Sequence, residues 1–316
     1  MLELLVSDRI YRPFRKDIDS LGPDLVACVI NGDSITPDPV EPRVLLYTAD
    51  IPGEQLASML TRYPSIEWIQ VGMAGVETLL PHLGGYRGTV TNMTGWHADA
   101  VGEWVLGMVL AHARKLASVF RNSQEGLWKR EVGEEISGKT LGIVGAGWIG
   151  NSVATRAAAF GMDVIGIRRS PGALPHFSNV DGPGGLPELL ERSHYVLISV
   201  PLTAHTRGMI DGRAFELMRN DAVLINVARG SVVNTEDLMK ALARNAIAGA
   251  ILDVTDPEPL PEHHPLWSMP NVIIGAHSAW LSVRSEGRIM SSFGENFRRW
   301  AAGKPMRNVV DSKREY

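Results

Sequence analysis

The chain has 316 residues, 45% of them apolar, and a formal net charge of −4. At roughly 150 residues per domain, that length and composition suit about two globular domains with substantial cores. The charge balance, without any block of lysine or arginine, argues against a nucleic-acid or membrane-surface partner, and no apolar run approaches the ~18 residues of a bilayer crossing.

The N-terminal "MLELLVSDRIY" lacks the basic and apolar regions of a secretory signal and reads as a first strand. "LELLVS", "DLVACVI", "RVLLYTA" and "EWIQVG" are short apolar runs bounded by Asp, Gly or Pro. Continuous runs of this length suit a parallel sheet covered on both faces. "GEQLASMLTRY" has helical spacing between two of them, so the first ninety residues predict a small doubly wound α/β domain. The single cysteine, Cys28, reads as a buried structural thiol and fits a reducing, cytoplasmic setting. Asn92-Met93-Thr94 matches a glycosylation sequon, which carries no meaning in such a setting.

Ala98–Leu116 reads as one strong helix, apolar over most of its circumference through Val101, Trp104, Val105, Leu106, Met108, Val109 and Leu110. A helix of that kind is buried on several sides, within one chain or at a subunit interface. The polar "RNSQEGLWKREVGEEISGK" that follows reads as an excursion before a second α/β series. In that series "KTLGIVG", "MDVIGI", "HYVLISV", "AVLINVA", "GAILDV" and "NVIIGA" read as strands. Trp148–Phe160 reads as a helix stopped by Gly161, and "NTEDLMKALARN" as a helix capped by Asn234. A last helix is expected from about Val283 to Ala301.

Gly145-Ala146-Gly147-Trp148-Ile149-Gly150 fits G-x-G-x-x-G between a predicted strand and a predicted helix, the context a dinucleotide site requires. Gly145 permits the tight turn, Gly147 lets a pyrophosphate approach the backbone, and Gly150 lets helix and sheet pack closely. The opening amides of the helix, around Trp148 and Ile149, then face the phosphates. An NAD site usually places an acidic residue about twenty positions on, to accept bonds from the ribose hydroxyls. Here "DVIGIRRS" ends on Arg168, Arg169 and Ser170, with Arg168 eighteen residues past Gly150. Two guanidiniums bind a 2′-phosphate instead, and Ser170 adds a hydroxyl donor. At roughly 1.5–3 kcal/mol for each charge-assisted bond, two of them favour NADP(H) over NAD(H) by about a hundredfold or more. Two solvated arginines at a strand end, with NAD still bound, is the competing interpretation.

Beyond the loop, "SVPLTAHTRGMID", "LINVARGSVVNTEDLMKAL", "GAILDVTDPEPLP" and "NVIIGAHSAW" follow in order. Together they resemble the P-L-T-x-x-T, N-x-x-R-G, D-V-x-x-x-E-P and histidine segments of the D-isomer-specific 2-hydroxyacid dehydrogenases, and the likeness covers nearly the whole chain. The resemblance implies two doubly wound parallel-sheet domains, a flavodoxin-like substrate domain (1–93 plus 281–316) and a Rossmann dinucleotide-binding domain (94–280). It also implies hinges near Asn92–Gly95 and Ser278–Leu281, an active site in the cleft, a long dimer helix and a homodimer.

The resemblance further implies a division of labour. His277 matches the general acid/base and Glu258 its partner; a nearby carboxylate orients the ring and favours its protonated form. Arg229 matches the arginine that binds the substrate carboxylate and polarises the carbonyl. "VGMAGVETL" is similar to the loop whose amides hold that carboxylate, which points to Met73, Ala74 and Gly75; Glu77 stands where the family often has aspartate. Pro201, Thr206, Val227, Ala228 and Asp253 match positions beside the cofactor, Asp253 near the nicotinamide carboxamide, and no metal is expected. Met73, Trp96 and Trp280 are bulky for their positions and read as packing before specificity. The function implied is an NADP(H)-dependent reductase of small 2-keto acids, glyoxylate or hydroxypyruvate first. Longer or aromatic 2-keto acids are the nearest competitors. Glu258 counts against formate oxidation, and a nucleotide-sensing corepressor of the same fold is the alternative from another class.

Overall fold

The computed structural model describes residues 2–311. They divide into two compact α/β units, one formed by the residues up to His97 and from Ser282 onward, the other by Ala98–Leu281.

In the first unit β1 (Leu2–Ser7), β2 (Leu25–Asn31), β3 (Ser34–Thr36), β4 (Val44–Tyr47), β5 (Trp68–Val71) and β6 (Thr89–Thr91) form one sheet in the order β3-β2-β1-β4-β5-β6. All neighbours are parallel except the edge pair β2–β3. Without that antiparallel edge, the order is the flavodoxin-like 2-1-3-4-5. The runs are apolar throughout because both faces are covered. Leu5, Leu45 and Ile69 join one core with Leu56 and Met59 of α2 (Gly53–Arg62). Leu4, Val6, Leu46 and Trp68 join the other, with Ile10 and Ile18 of α1 (Asp8–Asp19). The segment "MLELLVSDRIY", expected as a strand, is strand only to Ser7. Asp8 opens a helix instead, with Pro13 inside it and non-helical φ/ψ at Phe14, a break that masks its periodicity. Cys28 is fully buried, and burial pushes its thiol up to about 11.

The second unit holds β7 (Thr140–Val144), β8 (Asp163–Ile167), β9 (Asn179–Asp181), β10 (Tyr195–Ile198), β11 (Val223–Asn226), β12 (Gly249–Leu252) and β13 (Val272–Ile274). Their order is β13-β12-β11-β10-β7-β8-β9, parallel throughout, which is the Rossmann arrangement. Six helices accompany it among the described residues: α3 (Ala98–Ala113), α4 (Leu116–Gln124), α5 (Trp148–Ala159), α6 (Leu186–Arg192), α7 (Gly212–Leu217) and α8 (Thr235–Ala243). Asn234 caps α8, its side chain accepting from the Asp237 N–H, and Gly161 follows α5 at φ +76°. The chain then returns to the first unit as α9 (Ser285–Ala301), which packs Ile289, Phe293 and Phe297 against Trp68 and its neighbours.

The expected helix Ala98–Leu116 is two helices, because Lys115 turns left-handed at φ +51° between α3 and α4. Val101, Val105 and Val109 of α3 are buried, whereas Trp104, Leu106, Met108 and Leu110 are half-buried. The start of the polar excursion belongs to α4. Phe120 within α4 and Leu127, Trp128 and Val132 beyond it are exposed, Trp128 almost completely at 99%. No helix among the described residues is long and apolar enough to cross a membrane.

Candidate active site

Gly145, at φ +108°, follows β7 at the point where the strand order reverses. A Cβ there would meet the Ser199 carbonyl carbon at 2.8 Å, and one on Gly150 would meet the Gly145 carbonyl oxygen at 2.6 Å. Backbone packing therefore requires both glycines. Gly147 differs: a Cβ on it would meet nothing within 4 Å, at ordinary negative φ. Packing does not demand a glycine there, and the absence of a Cβ leaves the backbone open to an approaching ligand. Gly147 is the N-cap of α5 and gives the helix no side-chain cap, so the first amides around Trp148 and Ile149 face outward. These features fit a dinucleotide pyrophosphate.

The Gly145 and Ala146 amides donate to the Ile167 carbonyl at 3.0 and 2.9 Å. This anchors the glycine loop to the end of β8, where Arg168 follows, half-buried, with Arg169 and Ser170 exposed. The Arg168 N–H donates to the Asp181 carbonyl at 2.9 Å, so its backbone is fixed while the side chain lies beyond the strand end. The sequence brings this basic pair to the place where an NAD site carries an acid.

Past β10, Thr206 closes its own loop. Its hydroxyl donates to the Pro201 carbonyl at 2.6 Å and accepts from the Thr203 N–H at 2.8 Å. Past β11, Val227 and Ala228 are buried and lead to half-buried Arg229. Asn226, 1% exposed, staples this turn: its Oδ1 accepts from the Ala228 N–H at 3.0 Å and its Nδ2 donates to the Arg229 carbonyl at 2.9 Å. A Cβ on Gly230 would collide with the backbone of Thr255 and Asp256. That close approach sets the Arg229 turn against the segment leading to Glu258. One guanidinium nitrogen of Arg229 donates to the Ala228 carbonyl at 2.6 Å.

The ends of β11, β12 and β13 are joined in series. Asp253 N–H donates to the Asn226 carbonyl at 2.9 Å, and His277 N–H donates to the Asp253 carbonyl. The Asp253 carboxylate, 3% exposed, accepts from the Ser278 and Ala279 amides at 2.8 and 3.1 Å. Burial pushes this carboxyl above the usual carboxylate range, and the two amides and His277 pull it back. The amides hold the turn that carries His277. Ala276 and His277 both adopt positive φ, +52° and +55°, a conformation that costs energy for residues with a Cβ and collects at functional sites. From this turn His277 Nδ1 lies 2.6 Å from Glu258 Oε1. Both side chains are about 40% exposed, so the pair stays open to a ligand.

In the first unit, Met73, Ala74 and Gly75 follow β5. The Met73 carbonyl accepts from Met93 N–H at 2.9 Å and the Ala74 carbonyl from Asn92 Nδ2 at 2.9 Å. Met73 and Trp96 pack against the first unit's cores and Trp280 against the second's. The second unit thus brings together the glycine loop with Arg168, and Arg229 and Asp253 with the Glu258–His277 pair; the Met73–Gly75 loop belongs to the first unit. Sequence reasoning passed over Asn226 and Asn92 as site supports. Asn226 was signalled as the first letter of N-x-x-R-G; Asn92 was marked only by its sequon and by the hinge expected near Asn92–Gly95, neither of which points to loop support.

A flavodoxin-like sheet, a Rossmann sheet with a glycine loop at its strand-order reversal, and a histidine–glutamate pair beyond the strand ends fit a nucleotide-dependent oxidoreductase. Residues 106–279 match the family described as D-isomer specific 2-hydroxyacid dehydrogenase, NAD binding domain. The chain belongs to the D-isomer-specific 2-hydroxyacid dehydrogenases, an NAD(P)-binding enzyme family. It is 35% identical over 235 residues to a glyoxylate reductase of Korarchaeum cryptofilum, covering 71% of this chain and 69% of the relative. It is 37% identical over 218 residues to a glyoxylate reductase of Thermofilum pendens, covering 66% of this chain and 63% of the relative, just under two thirds of its length. A D-isomer specific 2-hydroxyacid dehydrogenase from Xanthobacter autotrophicus Py2, solved in complex with NADPH and MES, has a TM-score of 0.87 at 31% identity over 100% of this chain and 99% of that one.

Proposed function

We propose that the protein is an NADP(H)-preferring reductase of small 2-keto acids, with glyoxylate and hydroxypyruvate as first candidates. The observation that carries the reading is the 2.6 Å His277–Glu258 pair, mounted on a left-handed turn and open to a ligand. In this reading Glu258 accepts the Nδ1–H of His277, which leaves Nε2–H to donate its proton to the carbonyl oxygen. Arg229 grips the substrate carboxylate and draws electron density from the adjacent carbonyl. Bound NADPH supplies the hydride that reaches the carbonyl carbon. The products are the 2-hydroxy acid and NADP⁺, and His277 regains its proton from solvent. Asp253 positions the His277 turn through Ser278 and Ala279. Gly145, Gly147, Trp148, Ile149 and Gly150 cradle the pyrophosphate, Pro201, Thr206, Val227 and Ala228 border the cofactor, and Met73, Ala74 and Gly75 present amides to the substrate carboxylate.

The cofactor preference rests on Arg168, Arg169 and Ser170 at the end of β8, where cationic and hydroxyl donors suit a 2′-phosphate. The NADPH in the Xanthobacter relative is in keeping with it. The glyoxylate reductases support the substrate class. A homodimer is proposed from the exposed apolar side chains Phe120, Leu127, Trp128 and Val132, and sedimentation at micromolar concentration checks it. The single buried cysteine suits a cytoplasmic setting. A panel of 2-keto acids assayed with NADPH and NADH tests the whole reading. Highest kcat/KM for glyoxylate or hydroxypyruvate with NADPH is expected; equal efficiency with NADH, or preference for long or aromatic acids, contradicts it.

A further inference from the structure

A loop binds a carboxylate through its amides only if those amides point one way. The Met73–Gly75 loop lies outside any helix or strand, and within it a Cβ is absent only at Gly75. Its conformation must therefore be imposed by what touches it. A peptide unit is planar and trans, so holding one carbonyl fixes the next residue's N–H in the opposite direction. The Met73 carbonyl is held by Met93 N–H at 2.9 Å, which fixes the Ala74 N–H. The Ala74 carbonyl is held by Asn92 Nδ2 at 2.9 Å, which fixes the Gly75 N–H. Among the described residues, no carbonyl accepts from the Met73, Ala74 or Gly75 amides. Two successive peptide planes are pinned at their oxygens, and two successive N–H groups are left for a ligand.

Asn92 is itself over-determined. It is 3% exposed, its Oδ1 accepts from Thr94 N–H at 3.0 Å, and its backbone N–H donates to the Asn308 carbonyl at 3.0 Å. Asn308, at φ +55°, also donates through Nδ2 to the Thr94 carbonyl at 2.8 Å. Thr91 and Val309 form an antiparallel bridge, and Val310 N–H donates to the Val90 carbonyl at 2.9 Å. The C-terminal tail is thus bonded along the same stretch of chain that supplies Asn92.

We infer that Asn92 is a positioning residue for substrate binding: its side-chain amide aims the Gly75 N–H at the substrate carboxylate, and Asn308 in the tail holds Asn92 in place. This rests on the reading that the Met73–Gly75 loop binds that carboxylate. Asn92→Asp keeps the size and the acceptor for Thr94 but removes the donor to Ala74 and sets oxygen against oxygen. Its KM for glyoxylate should rise about tenfold to a hundredfold, with a smaller change in kcat and an unchanged NADPH Kd. Asn308→Gly keeps the backbone conformation, loses only the outer tie, and should raise KM by a few-fold, so it tests the same chain of contacts should Asn92→Asp fold poorly. The two levels separate by following the Ala74 and Gly75 amide resonances of ¹⁵N-labelled, NADPH-loaded protein during an oxalate titration. If oxalate shifts neither resonance in the unmodified protein, the carboxylate reading fails. If it shifts both, and Asn92→Asp and Asn308→Gly show the same shifts and the same KM, the loop binds but Asn92 does not aim it, and the inference is overturned.

Discussion

The chain carries two loops that present backbone amides beyond the end of a parallel strand, and they are built on opposite plans. In the second unit the Gly145–Gly150 loop is shaped from within. Gly145 takes a left-handed turn and Gly150 admits the neighbouring backbone, and no other residue type serves at either position. In the first unit the Met73–Gly75 loop is shaped from outside, by donors from Met93 and Asn92 to its carbonyls. A loop built from glycines announces itself in a few consecutive letters. A loop built by borrowed hydrogen bonds depends on a residue well down the chain, and its own letters say little.

Neither loop does chemistry, so the largest expected effect separates binding from turnover. His277→Ala should lower kcat by about 10²–10⁴-fold while NADPH and oxalate still bind, as read by fluorescence titration. Retained turnover at neutral pH would place the proton donor elsewhere. Next is the phosphate end of the glycine loop. Arg168→Ala combined with Arg169→Ala should collapse the NADPH/NADH ratio of kcat/KM by about a hundredfold. A ratio unmoved by the double substitution would mean the arginines are solvated and idle.

The loop built from within offers a finer test. Gly147→Ala places a Cβ in open space, so the thermal midpoint should stay within about a degree while NADPH affinity falls. Gly145→Ala strains a φ of +108° against the Ser199 backbone and should lower both, the midpoint by a few degrees. Equal behaviour of the two variants would erase the distinction between a packing glycine and a ligand glycine. The smallest effect concerns His97, buried beside the first unit's last helix. Burial, helped by the Arg288 charge, pulls its imidazole down to about 4. The unfolded chain binds that proton first, so the stability His97 contributes is whole above about pH 6.5 and is lost as pH falls toward 4. The urea midpoint of the unmodified protein should therefore fall more steeply over that range than that of His97→Gln. Parallel curves would show that His97 charges without cost.

The legible part of the molecule follows the same division. The central strands of both sheets were readable because strands covered on two faces are continuously apolar, whereas the three-residue strands β3, β6 and β9 make no such run, and Asn234 and Gly161 marked helix ends by residue type. α1 was hidden by Pro13, and the break at Lys115 was hidden because a left-handed lysine leaves no trace in composition. At the site, the motifs carried Arg229, Glu258 and His277. What they could not carry was support. Asp253 has its carboxylate on the amides of Ser278 and Ala279, and Asn226 and Asn92 bond mostly to backbone. Such partners depend on where the chain passes in space, which residue type alone does not encode.

The central claim is that a 2-keto acid is held by Arg229 while its carbonyl meets His277. A crystal structure with NADPH and oxalate tests it most directly. One oxalate carboxylate on the Arg229 guanidinium, with another oxygen within hydrogen-bond reach of His277 Nε2, is the predicted result. Oxalate bound with His277 or Arg229 turned away from it would contradict the account.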